Sequence, residues 1–150
     1  MTLWLLRHGE AEPRARSDAE RALTEGGRKE VRRSAEHLRG QPLQHILVSP
    51  YLRAQQTAEI VREVLGLKLS LTTVDWATPD DSPREAANRL DDHPGECLLV
   101  SHNPLLGSLS GLLVHGHLQQ PMGLRTASLV ALEGDPVPGL MQLCALYHPH

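Results

Sequence analysis

At 150 residues, 40% hydrophobic and 22% charged, the chain has the length of about one domain and the make-up of an ordinary globular protein. Fifteen basic against eighteen acidic residues leave a net charge of −3, which gives no global pull toward nucleic acid or a membrane. Any anion site must therefore be a local concentration of positive charge. No apolar run approaches the ~20 residues of a membrane span, and no basic region leads into a hydrophobic signal core, so a cytoplasmic protein is expected.

The first element is Leu3 to Glu12, LWLLRHGEAE. Four apolar residues in succession suit a strand buried on both faces, as in a parallel sheet. The run stops on Arg7, His8 and Gly9, so a cation and an imidazole stand at its carboxyl edge, where open α/β sheets place ligands. Gly9 permits a sharp turn or a close approach of a ligand to the main chain. Glu10 to Ala22 is polar and reads as a loop. Thr24 is a cap for a helix in which Val31, Ala35 and Leu38 recur at helical spacing before Gly40, with its charges on a solvated face.

His45 to Val48 is a short strand, and Ser49-Pro50 reads as cap and first turn of a helix ending at Gly66. Arg53 falls near that helix N-terminus, just past a strand end, a position that suits an oxyanion and equally suits a surface arginine. Leu67 to Val74 is expected as the third strand, 75–81 as a loop and 82–90 as a short helix. Cys97 to Ser101 is another buried strand, ending on His102, with Asn103 and Pro104 opening a Leu-rich helix to about Val114. His115-Gly116-His117 has no neighbouring carboxylate or cysteine cluster and reads as a polar loop. Ser128 to Leu132 and Leu140 to Leu146 form a hairpin, the second strand antiparallel and at an edge. Cys97 and Cys144 each lie in an apolar run and are expected as buried, inert thiols. Alternating strands and helices predict a three-layer α/β/α sandwich around a mostly parallel sheet, without a second domain.

Three strand ends thus carry Arg7 with His8, Arg53, and His102. Right-handed crossovers bring them to one edge of the sheet, so two guanidinium groups and two imidazoles surround one cavity. A tetrahedral phosphate fits best, since arginine forks hold its oxygens and leave phosphorus open. A neutral histidine aimed at phosphorus can act as nucleophile, and the second can donate to the transferring oxygens. No metal is needed, because the arginines supply the charge.

Arg7-His8-Gly9, the segment from Ser49 to Ala58 (SPYLRAQQTA), and Ser101-His102-Asn103-Pro104 resemble the motifs of the histidine phosphatase superfamily, the phosphoglycerate mutase and acid phosphatase group. Order and spacing match, and the resemblance runs from Met1 to Leu146. It implies a phosphoglycerate mutase-like fold without a cap domain, a phosphorylated nucleophile at His8, and a phosphate pocket of Arg7, Gly9, Arg53 and His102. The small size, and Ser17-Asp18 followed by Arg21, Leu23, Thr24 and Gly27, look like the short bacterial phosphohistidine phosphatase branch. That branch implies a phosphorylated histidine phosphotransfer (HPt) domain or histidine kinase as partner, inorganic phosphate or sulfate as site ligand, and no cofactor.

One departure bears on substrate. Branched acid phosphatases place an Asp after the second histidine, where this chain has Asn103, and mutase-like relatives use a Glu after the third strand. Only Asp75, Asp80, Asp81 and Glu85 stand there, none in a matching motif. Imidazole, with a free pKa of ~6.5, departs far more easily than an alkoxide without an acid, which favours a P–N bond. Asp18 matches the branch as a proton donor or orienter, and Arg21 as a further phosphate ligand. A phosphatase of small phosphorylated metabolites using the same pocket is the alternative, and a non-catalytic phosphate-binding module the third reading.

Overall fold

A computed structural model describes all of residues 1–150. Six strands form one sheet: β1 (Thr2–Arg7), β2 (His45–Val48), β3 (Leu71–Thr73), β4 (Cys97–Ser101), β5 (Leu129–Gly134) and β6 (Met141–Tyr147), in the order β3-β2-β4-β1-β5-β6. The first four run parallel, β5 is antiparallel to β1, and β6 is antiparallel to β5 at the edge. Four helices cover the sheet: α1 (Glu25–Ala35), α2 (Leu52–Leu65), α3 (Pro83–Leu90) and α4 (Leu105–His115).

The two-residue period of a strand divides its side chains between two cores. Leu3 and Leu5 of β1 pack with α3 and α4 on one face, while Trp4 and Leu6 pack with α1 and α2 on the other. This explains why β1 and β4 are apolar throughout rather than alternating. The mostly parallel α/β/α sandwich expected from the sequence is the observed fold.

Four local expectations change. The third strand spans Leu71–Thr73 rather than 67–74, as it lies at the sheet edge beside the four-residue β2, which limits its ladder. Helix α2 begins at Leu52 with Tyr51 in the capping position, so Ser49-Pro50 lies before the helix and Ser49 is free for another role. Pro104 precedes α4, and Asn103 Oδ1 accepts the Gly107 N–H at 3.2 Å, capping from one residue further out. Cys97 is buried, but Cys144 is exposed, because β6 is an edge strand covered on only part of its length.

Two glycines fix how the end of β1 meets α1. A Cβ on Gly27 would lie 2.1 Å from the Glu10 carbonyl oxygen, and one on Gly9 would lie 2.6 Å from the Gly27 carbonyl oxygen. Neither obstacle is a flexible side-chain tip, so the backbones themselves would have to separate. Gly27→Ala is expected to destabilise the fold by about 3 kcal/mol, toward the upper end of overpacking costs. The urea midpoint measures it; a midpoint equal to wild type would show that α1 is free to shift.

Candidate active site

Strand register brings the functional side chains together. Arg7 pairs with Ser101, so β1 and β4 end side by side, and the His8 N–H donates to the Ser101 carbonyl at 3.0 Å. Val48 pairs with Val100, and the Ser49 N–H continues that ladder to the Val100 carbonyl at 3.1 Å. His8 and His102 emerge from adjacent strand ends with ring centroids 5.0 Å apart. Arg53, in the first turn of α2, is placed over them by the short β2–α2 connection.

His8 is only 6% exposed. Its Nδ1 lies 2.7 Å from the Gly9 carbonyl oxygen, which only accepts, so Nδ1 carries the proton. That leaves a lone pair on Nε2, which accepts from Arg53 Nε at 3.3 Å. Burial lowers the His8 pKa to about 4; the bond to Gly9 opposes this, and the charges of Arg53, Arg7 and Arg21 reinforce it. The ring is therefore neutral at physiological pH, with its free nitrogen facing cations. Gly9 is small for reasons of chain packing; it contributes its carbonyl to His8, and its N–H donates to Thr57 Oγ1 at 3.2 Å.

Arg53 is 3% exposed, with its guanidinium 5.0 Å from the centre of the Tyr51 ring. Its outer nitrogens donate to the Asp18 backbone oxygen at 2.6 Å and to Asp18 Oδ2 at 3.0 Å. Arg21 Nε donates to the other Asp18 oxygen at 2.9 Å. The little solvent that Asp18 loses pushes its carboxyl up, but the hydrogen bonds and charges of Arg53 and Arg21 outweigh this and hold its pKa below the ordinary value. Asp18 is thus a carboxylate that aims two arginines. A group held ionised in this way is a poor acid.

Arg7 donates from Nη1 to the Leu124 carbonyl at 2.9 Å. Its Nε is buried with no partner, as is Nδ1 of His102. Buried orphan polar groups are few in folded proteins and call for a reason. Two of them here belong to Arg7, the residue before His8, and to His102, whose ring centroid lies 5.0 Å from that of His8. Arg7, His102 and Arg53 thus bring nitrogens of the right kind for oxyanion oxygens to the strand ends beside His8. His102 itself is 1% exposed, and its Nε2 lies 2.7 Å from Ser49 Oγ. Burial first, then His8, Arg53 and Arg7, lower its pKa to about 2, against the opposing charge of Asp18.

Both histidines fold neutral, whereas an unfolded chain protonates them near pH 6.5. Between about pH 6.5 and 4 the unfolded state therefore binds more protons, and stability falls as pH falls. Each such ring contributes a slope of about 1.4 kcal/mol per pH unit across that window. Urea unfolding at pH 7.5 and 5.0 measures it. His8→Asn should remove one ring's share of the difference; an unchanged slope would show that His8 does not fold neutral.

Two of the other carboxylates considered from the sequence, Asp81 and Glu85, are committed elsewhere. Asp81 accepts from the Thr78 N–H at 2.7 Å and from its hydroxyl at 2.6 Å, within its own loop. Glu85 pairs with Arg89 at 2.9 Å on α3. Asn103 is structural: it bonds the Leu124 carbonyl through Nδ2 as well as capping α4. His115 and His117 stack with centroids 6.1 Å apart, and they belong to no group of three metal-ligating side chains. Sequence reading passed over Ser49, Tyr51 and Thr57. Ser49 was hidden by its resemblance to a helix cap, and Thr57 by its place on the buried face of α2.

The profile of the histidine phosphatase superfamily (branch 1) matches residues 3–74. Phosphohistidine phosphatase SixA of Escherichia coli (strain K12) is 34% identical over 141 residues, covering 90% of this chain and 86% of the relative. The chain belongs to the histidine phosphatase superfamily. A SixA homolog of Haemophilus influenzae is 34% identical over 122 residues, 73% of this chain and 74% of its own. The solved structure of the protein histidine phosphatase SixA complexed with tungstate superposes with a TM-score of 0.89 at 32% identity, covering 99% of this chain and 97% of that one. A putative α-ribazole-5′-P phosphatase from E. coli shares the fold at 19% identity, with a TM-score of 0.77.

Proposed function

We propose that this enzyme is a metal-independent phosphohistidine phosphatase that works through a covalent phosphohistidine on His8. Its substrate is the phosphohistidine of an HPt-type signalling domain or histidine kinase. The observation that carries the reading is the His8 tautomer: proton on Nδ1, lone pair on Nε2 facing Arg53, with the unpartnered Nε of Arg7 and Nδ1 of His102 on neighbouring side chains.

In the first step the Nε2 lone pair forms a bond to phosphorus as the P–N bond to the substrate imidazole breaks. The departing nitrogen takes up a proton from solvent. Arg7, Arg53 and the His102 N–H bear the charge spread over the phosphoryl oxygens. In the second step water attacks phosphorus, the bond to His8 breaks, and phosphate leaves with the neutral ring restored. The net change is phosphohistidine plus water to histidine plus phosphate.

Three observations favour a protein P–N bond over a phosphate ester. Asp18, the carboxylate at the site, is held ionised, and Asn103 stands where an acid would serve an alkoxide. Pro13, Arg14, Ala15, Ser17, Asp18 and Arg21 line a wide, open depression of about 450 Å³ beside the site rather than a deep closed pocket. Similarity to SixA extends over nine-tenths of the chain. Specificity constants for a phosphorylated HPt domain and for a panel of phosphorylated metabolites test the substrate. The domain should be preferred by more than tenfold; the reverse preference would make the enzyme a metabolite phosphatase on the same pocket.

A further inference from the structure

We infer that Ser49 is a positioning residue that holds His102 in the tautomer able to donate to the transferring phosphoryl group. The inference rests on His102 serving the phosphoryl oxygens, as proposed above, and it concerns what makes that service possible.

A neutral imidazole has one N–H and one lone pair, and only the first is useful beside an anion. His102 is fully enclosed, so its ring cannot call on solvent to exchange the two. Its Nε2 faces Ser49 Oγ at 2.7 Å, and its Nδ1 has no partner in the protein. The protonation of Nδ1 is therefore decided by the direction of the Ser49 bond. If Nε2 donated to Ser49, Nδ1 would present a lone pair toward the oxyanion site, and electrostatics would oppose binding. If Ser49 donates to Nε2, the proton sits on Nδ1 and points to where it is needed.

The surroundings of Ser49 select the second arrangement. Ser49 is itself fully buried, and its Oγ accepts the Tyr51 N–H at 3.2 Å. The contact with His102 Nε2 is its other hydrogen bond. A serine that accepted from both would leave its own buried O–H without an acceptor, at a cost of about 1–3 kcal/mol. Donation to Nε2 satisfies all three groups. The backbone keeps the pair in place: Ser49 and His102 each follow the end of one of two paired strands, β2 and β4. Tyr51 closes the far side of the ring, with centroids 5.0 Å apart.

The test reads the tautomer directly. In enzyme labelled with ¹⁵N in its histidine rings, two- and three-bond ¹H–¹⁵N correlations should show His102 with the proton on Nδ1 at pH 7. This readout needs neither substrate nor turnover, so it can fail while the phosphatase reading stands. In Ser49→Ala the ring should lose that single state, and kcat should fall about 10- to 100-fold with KM changed less than threefold. Ser49→Thr keeps a hydroxyl at the same carbon and should restore both the tautomer and most of kcat. A wild-type His102 with its proton on Nε2 would overturn the inference even if Ser49→Ala did not fold. So would a Ser49→Ala enzyme with the wild-type ring state and kcat.

Discussion

His8→Ala is expected to lower turnover by about four to six orders of magnitude and to remove every trace of acid-labile phosphate from the protein. The size follows from the role: loss of a nucleophile leaves only the contribution of the surrounding binding groups. Because His8 also sits in the core of the site at 6% exposure, a loss of fold must be excluded alongside. His8→Asn is the better companion variant, as it keeps a side chain able to donate to the Gly9 carbonyl. Steady-state rates on a phosphorylated HPt domain, with far-ultraviolet circular dichroism as the control, measure the effect. A folded variant retaining a tenth of wild-type turnover would exclude His8 as the nucleophile.

Arg53→Ala carries the second largest effect, expected at about 10²–10³ in kcat, the usual cost of one lost oxyanion contact. Arg53 does three things that separate in the pH profile. It donates to His8 Nε2, it is held on target by Asp18, and its charge helps to keep His8 unprotonated. With His8 at about 4, the free enzyme holds its nucleophile ready throughout the neutral range, and kcat/KM should fall only as pH drops through that value. Removing Arg53 moves the His8 pKa back up, so the acid limb in the variant should shift toward higher pH. A fall in rate without that shift would mean that Arg53 binds phosphate but does not tune His8. Arg53→Lys should rescue little, since a point charge replaces a fork that Asp18 and His8 both use.

How much of this was legible in the sequence varies with the range over which the physics acts. Buried strands ending on Arg7-His8 and Ser101-His102 could be read because an uninterrupted apolar run is a local signal, and right-handed crossovers then force the ends together. The antiparallel edge was readable from the Pro/Gly turn before β6. Which residue serves the site and which serves the fold was harder to see. Gly9 has the look of a phosphate-binding glycine, yet its size answers to Gly27, 18 positions away in the chain. Ser49 before Pro50 has the look of a cap, and its true partner is His102 on another strand. Asp18 was recognisable as belonging to the site, but its charge state depends on two arginines that converge only in the folded chain. Cys144 was misplaced because the apolar run around it suggested burial, whereas its edge strand is covered on only part of its length. Local pattern thus pointed to the elements and to His8 and His102 at the strand ends, whereas hydrogen-bond direction and ionisation required the register of β1, β4 and β2.

The central claim is the covalent intermediate on His8. Its most direct measurement is a base-quenched pre-steady-state time course with excess phosphorylated HPt domain, followed by mass spectrometry of the peptide containing His8. Phosphate is expected on His8, bonded through Nε2, stable in base and lost in acid, formed and consumed no more slowly than turnover. Full turnover with no phosphate on His8 at any time, or with phosphate on another residue in its place, would contradict it.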